Sequence, residues 1–178
     1  MTERAVNSVT MSQIGHPDLV ALYDYWNSKR ANRRMPSRTD IDPAELSSRL
    51  PHIALIDVVD DPLRFRFRLV GSYTYELRDS HILRELTGRY VDEVPFHIGS
   101  NEALMRVGRS VVERRRPVLI DGPRNRKAKK TGRQLILIMP LSTDDHRVDM
   151  MFCGIYRTFG DDNLSTELRI TEFPPDDT

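Results

Sequence analysis

Cysteine occurs once in this chain of 178 residues, tryptophan once, and aromatic residues make up only 7% of it. A lone cysteine, Cys153, excludes an intramolecular disulfide and any cysteine-rich zinc site, which fits a reducing compartment. No apolar run approaches the roughly 20 residues that a membrane-spanning helix needs, and the first residues carry no apolar core of the signal-peptide type. A cytoplasmic location without membrane contact is therefore expected. The five histidines, at 16, 52, 81, 97 and 146, show no metal-binding spacing, and no glycine-rich phosphate loop is present. The carboxylate pairs Asp60-Asp61 and Asp144-Asp145 fall in turn clusters, where aspartate is favoured because it bonds to the nearby backbone. Catalysis needs a converging nucleophile, base and charge stabiliser, and nothing in the chain displays one, so no enzymatic activity, metal or cofactor is expected.

What is present describes a soluble globular domain with 39% hydrophobic and 30% charged residues. The formal net charge of +1 hides an asymmetry: residues 106–133 hold 11 basic side chains against two acidic ones, so the remainder is strongly acidic. The basic loop with Arg124, Arg126, Lys127, Lys129, Lys130 and Arg133 is the candidate anion site, able to receive phosphates of a nucleotide or nucleic acid, or an acidic protein surface. The competing explanation is a solvated hairpin loop beside arginines that complement a helix C-terminus. No aromatic residue interleaves these cations, so base stacking on the loop is not expected.

Residues 34–71 carry the most structural information. Asp42 is a strong helix N-cap, with Pro43 suited to the first helical position, Glu45 placed for a capping box, and Ile41 and Leu46 placed for a hydrophobic staple. Pro51 should stop that helix near Leu50. Residues 52–59 are apolar and β-branched, Asp60-Asp61-Pro62 is a turn, and Phe65, Phe67 and Leu69 alternate with Arg66 and Arg68, which predicts an antiparallel hairpin with one dry face. The arginines, with Arg34 and Arg38, are candidates for ion pairs with Asp40, Asp57 or Glu76.

Around this segment, residues 1–16 read as a flexible arm, and Leu19, Leu22, Tyr23 and Trp26 recur at helical spacing over residues 17–33. That apolar stripe either covers the protein's own sheet or pairs with a second copy, and a homodimer with these four residues near its interface is expected. Short helices are expected between residues 72 and 86, then a long one over 99–116 capped by Ser100, then strands at 117–121, 134–141 and 148–156. Residues 159–178 form an acidic tail expected to be mobile, although Leu168, Ile170 and Phe173 give it some means of docking.

The resulting order of two strands, a group of helices and three strands resembles the PAS domain. Individual segments are similar to a bacterial group of stand-alone PAS-like proteins: Tyr25-Trp26, Arg34-Met-Pro-Ser-Arg38, Asp40-Ile-Asp-Pro43, Leu50-Pro51, Ile56-Asp57, Phe65-Arg-Phe-Arg-Leu-Val-Gly71, Leu86-Thr-Gly-Arg89 and Met139-Pro-Leu-Ser142. The resemblance implies an α+β fold, with a five-stranded antiparallel sheet over 52–158, helices packed on one face, and an amphipathic helical extension at 17–51 before it. It also implies a sensory or regulatory module that binds a small molecule or docks on signalling proteins, not an enzyme. Cavities of this fold can hold haem, flavin, a metabolite or nothing. Haem needs an axial ligand, for which His81 and His97 fall in the right region but read better as surface residues, and Cys153 lies on a strand, away from the position that flavin photochemistry requires. The candidate cavity residues are Phe67, Leu69, Tyr73, Leu77, Leu86, Val94, Leu137, Met139 and Phe152.

Overall fold

The computed structural model describes residues 11–76, 85–95, 100–123, 132–159 and 167–173. Its centre is an antiparallel sheet built from β1 (Ile53–Val59), β2 (Arg64–Val70), β3 (Val118–Pro123), β4 (Gly132–Leu141), β5 (Met150–Phe159) and β6 (Arg169–Glu172), in the order β2-β1-β5-β4-β3-β6. Among the described residues four α-helices accompany it: α1 (Met11–Ile14), α2 (Pro17–Lys29), α3 (Ser72–Glu76) and α4 (Asn101–Arg114). Among the described residues no helix is long and apolar enough to cross a membrane.

Local signals set most of the element ends. The Asp42 carboxylate accepts the Ala44 N–H at 2.9 Å, and Ile41 and Leu46 are both buried. The segment that follows, Pro43–His52, is a 3-10 helix that continues through Pro51 up to the start of β1. Glu45 does not complete a capping box with Asp42 but pairs with Lys29 at 2.6 Å. Ser100 Oγ accepts the Ala103 N–H and caps α4, which ends on Arg115 in a left-handed conformation. The carboxylates of the Ser142 turn also serve the backbone: Asp144 accepts from His146 and Arg147, and Asp145 accepts from Arg34 and Met35. The three donors bonded to Asp144 (the Arg147 and His146 N–H groups first, then the Ser142 hydroxyl) hold it down at a pKa of about 2.

Both faces of the sheet are covered, not one. On the first face lie α4 and the 3-10 turn Val91–Glu93, while α3 packs on the Pro43–His52 segment and brings Thr74 to the edge of this face. Gly108 of α4 sits so near β2 that a Cβ there would run into the Phe65 ring. The second face carries α2. A Cβ on Gly154 of β5 would come within 2.6 Å of Leu22 and 2.8 Å of Leu19, and the Trp26 indole N–H donates to the Pro140 carbonyl at 2.8 Å. The stripe expected at a dimer interface is thus spent within the chain, since Leu19, Leu22, Tyr23 and Trp26 are at most 3% exposed. The sheet offered the larger apolar surface within reach of that helix, and burying the stripe there removes it from water as completely as a partner would.

Two further differences have local causes. The sheet has six strands where five were expected, because Arg169–Glu172 pairs with β3 and Phe173 plugs the end of the core at 1% exposure against Tyr23. That part of the expected mobile tail is therefore fixed, and α1 lies within the expected flexible arm, with Ile14 buried. The β1–β2 ladder also carries a bulge: Leu55 pairs with Leu69, but Ile56 pairs with Phe67, leaving Arg68 as the extra residue. A bulge resets the alternation of a strand, so Phe65 and Phe67 point to the first face and Leu69 to the second.

Candidate functional site

Between the first face and its helices lies a cavity of about 100 Å³. Ile56, Phe67, Ile120, Ile136 and Cys153 form part of its sheet wall, and Leu104 of α4 helps to close it. Cys153 is fully buried there, and desolvation pushes its thiol up to about 12, so it acts as a small apolar group rather than a nucleophile. Two polar side chains reach the lining, Thr74 from α3 and Gln134 from β4. The Thr74 hydroxyl is buried without a hydrogen-bond partner among the described residues. Buried polar atoms are nearly always satisfied, so this oxygen in an apolar wall is chemically conspicuous.

The volume limits what fits. Drug-sized ligands occupy pockets of roughly 300 Å³ and more, whereas an apolar cavity of about 150 Å³ admits benzene. Haem and flavin do not suit a void of this size, and among the described residues no histidine lines it. His81 and His97 lie outside the described residues. Among those that are described, no group of three histidine, cysteine, aspartate or glutamate residues is placed to hold a metal ion.

Of the nine residues expected to line the cavity, Phe67 does so. Leu86 and Val94 are fully buried in the neighbouring core, Tyr73 packs on His52 with ring centroids 4.0 Å apart, and Leu77 lies outside the described residues. Leu69, Leu137, Met139 and Phe152 belong to the second face. For β4 and β5 the expectation is off by one residue: Ile136, Ile138, Met151 and Cys153 face the cavity, and their neighbours face α2. When both faces of a strand are buried, the sequence is apolar throughout and alternation no longer tells one side from the other. Thr74 and Gln134 are polar, so no apolar pattern in the sequence marks them as cavity residues.

The second face holds a wider groove of about 540 Å³, with a floor of Ile53, Leu55 and Phe152. One wall is the 3-10 segment with Leu46 and Leu50, and the other is β2 and its end with Leu69, Val70 and Gly71. Beside it, Asp57 receives Arg66 at 3.1 Å and Arg68 at 2.5 Å, which joins three of the residues expected to form ion pairs. Asp40 takes Arg33 rather than Arg34 or Arg38.

At the end of β5 a column of rings connects α2, the 3-10 segment and α3. His52 stacks on Tyr156 at 4.1 Å and contacts Tyr73, while His16 lies 4.4 Å from the other partner, Tyr156. His16 also caps α2, its Nδ1 accepting the Asp18 N–H at 3.3 Å. Burial, supported by the nearby His52 and opposed by Asp18, lowers its pKa below 6.5.

Of the expected anion site, Arg124, Arg126, Lys127, Lys129 and Lys130 lie outside the described residues. Arg133 is buried, pairs with Asp121 at 2.5 Å and donates to the carbonyls of Asp121 and Glu167, so its guanidinium ties β3, β4 and the last segment together and is not free to take an anion. The acidic end also reaches α4, where Glu172 accepts from Ser110 and Arg114.

The family model described as PAS domain matches residues 14–156. No curated protein matches the chain.

Proposed function

Because the chain belongs to the PAS domain family, whose members are typically sensory and regulatory rather than catalytic, we propose that it senses a small, uncharged, largely apolar molecule held in the cavity beside Thr74. The observation that carries this reading is the Thr74 hydroxyl, buried without a partner among the described residues, in an apolar void of about 100 Å³. An ionised ligand would lose its hydration without compensation there. A compact molecule with one hydroxyl or carbonyl would bury its carbon skeleton against Ile56, Phe67 and Ile136 and satisfy the threonine.

The route outward is short. Thr74 lines the cavity, while Ser72 on the same turn lines the groove on the other side of the sheet, and Tyr73 between them packs on His52. A ligand that binds one position of α3 more tightly shifts the population toward that position, and the groove wall moves with it.

Ligand-observed NMR with cyclopentanol and cyclopentane tests this reading. Both should bind, cyclopentanol more tightly, and Thr74→Val should weaken cyclopentanol about fivefold while leaving cyclopentane unchanged. Failure of both probes to bind, or equal loss of both in the variant, would sink it.

A further inference from the structure

The groove on the second face is larger than the cavity and takes no part in ligand capture. We propose that it docks an acidic amphipathic segment of a partner protein, which inserts apolar side chains over Leu50 and Leu69 and sets carboxylates on the arginines of the rim. Leu50 and Leu69 are 39% and 44% exposed, among the few large hydrophobic residues left open to water, and they come from opposite walls. Between them the floor of Ile53, Leu55 and Phe152 is buried and rigidly held in the sheet. A volume of about 540 Å³ falls within the range of sites that bury a ligand's side chains.

The charge on the rim selects the partner. In the ladder the Leu55–Leu69 pair stands next to Asp57, which faces the same side and shares its one carboxylate between Arg66 and Arg68. Both arginines remain substantially exposed, at 42% and 54% of their side chains. Arg38 lines the groove itself, and its guanidinium bonds to the Ile41 carbonyl, which carries no charge. Arg38 thus lines the groove, and Arg66 and Arg68 stand beside it, sharing the one Asp57 carboxylate between them. Guanidinium groups donate paired hydrogen bonds to carboxylates, so these side chains favour an acidic partner. Nucleic acid fits less well, because the floor is aliphatic apart from the fully buried Phe152 and offers no exposed ring for stacking.

Phage-displayed random peptides of about 12 residues, panned against the full chain and then measured by fluorescence anisotropy, test the proposal. The enriched peptides should combine spaced apolar residues with aspartate or glutamate, and their binding should weaken as salt rises. Leu69→Asp and Leu50→Asp, on opposite walls and partly exposed, should each weaken binding about thirtyfold with an unchanged circular dichroism spectrum. Arg38→Ala and Arg68→Ala should each cost about threefold and flatten the salt dependence. Enrichment of basic or uncharged peptides, no enrichment, or affinities indifferent to both leucine variants would overturn the proposal. So would a dimer of the free chain in sedimentation that Leu69→Asp disperses, since the groove would then belong to a second copy.

Discussion

On the α2 side of the sheet, Gly154 lets Leu19 and Leu22 settle against the strand and Trp26 fastens its indole to Pro140. On the α4 side, Gly108 makes room for the Phe65 ring in the same way, yet a cavity stays open next to it, with an unsatisfied threonine in its wall. Alternate residues of the same strands supply both faces, so the contrast does not come from composition. It comes from what lies opposite: a 13-residue helix with four buried anchors, among them a tyrosine and a tryptophan, on one side, and on the other α4, whose buried residues are Met105, Val107, Gly108 and Val111. A protein interior is normally close-packed. The enclosed void beside α4 is where a guest molecule can be accommodated, and the strand residues buried on the α2 side give the open groove its floor.

The most severe way to break this contrast is Trp26→Ala, which removes a buried ring and strands the Pro140 carbonyl; urea denaturation should show a loss of about 3–5 kcal/mol. A matched pair of glycine substitutions sharpens it. Gly154→Ala drives a methyl into the fully buried Leu19 and Leu22 and should cost about 3 kcal/mol. Gly108→Ala meets only Phe65, which can swing toward the cavity, and alanine improves the helix, so the net cost should be about 1 kcal/mol. The same variant should reduce cyclopentane binding as the ring invades the void. Equal costs at the two glycines would show that the faces are packed alike. Thr74→Val should stabilise the ligand-free protein by about 1 kcal/mol, since it removes an unsatisfied hydroxyl at constant shape; a destabilised variant would mean that the hydroxyl is already satisfied.

The smallest expected effect is a pH dependence on the α2 side. Burial first of all disfavours a charge on His16, its Nδ1 accepts from Asp18, and a cation there would oppose His52 and the helix dipole. Its contribution is therefore complete above about pH 6.5 and is lost as the pH falls through the lowered folded value. Asp18, Arg49, His52 and Tyr156 surround this ring, and Arg49 is held by Asp18 at 3.1 Å. His16→Asn keeps a cap acceptor and removes the titration, so thermal melts between pH 7 and 5 should fall less steeply for the variant than for the parent.

The parts of the fold that were legible are those fixed by local chemistry. Asp42 and Ser100 cap the helices they precede, the Asp60 turn closes the hairpin, and the apolar stripe of α2 forms a helix wherever it packs. What stayed hidden depends on distant partners. β6 reads Arg-Ile-Thr-Glu and becomes a strand only because β3 leaves an edge for it, with Glu172 held by Ser110 and Arg114. The facing of β4 was unreadable because Leu135 to Met139 are apolar at every position. Of the candidate site, the sheet wall was approached through Phe67, while Thr74 became visible only once the space opposite it was known.

The bulge at Arg68 carries one more consequence. Phe67 and Leu69 would point the same way in a regular strand, and it is the extra residue that gives one of them to the cavity and the other to the groove. Removing Arg68 alone would straighten the ladder without exchanging its faces. Phe67 and Leu69 would become direct neighbours, which alternate in a regular strand, so a single-codon deletion would spare the cavity wall and the groove wall together and cost the Arg68–Asp57 pair.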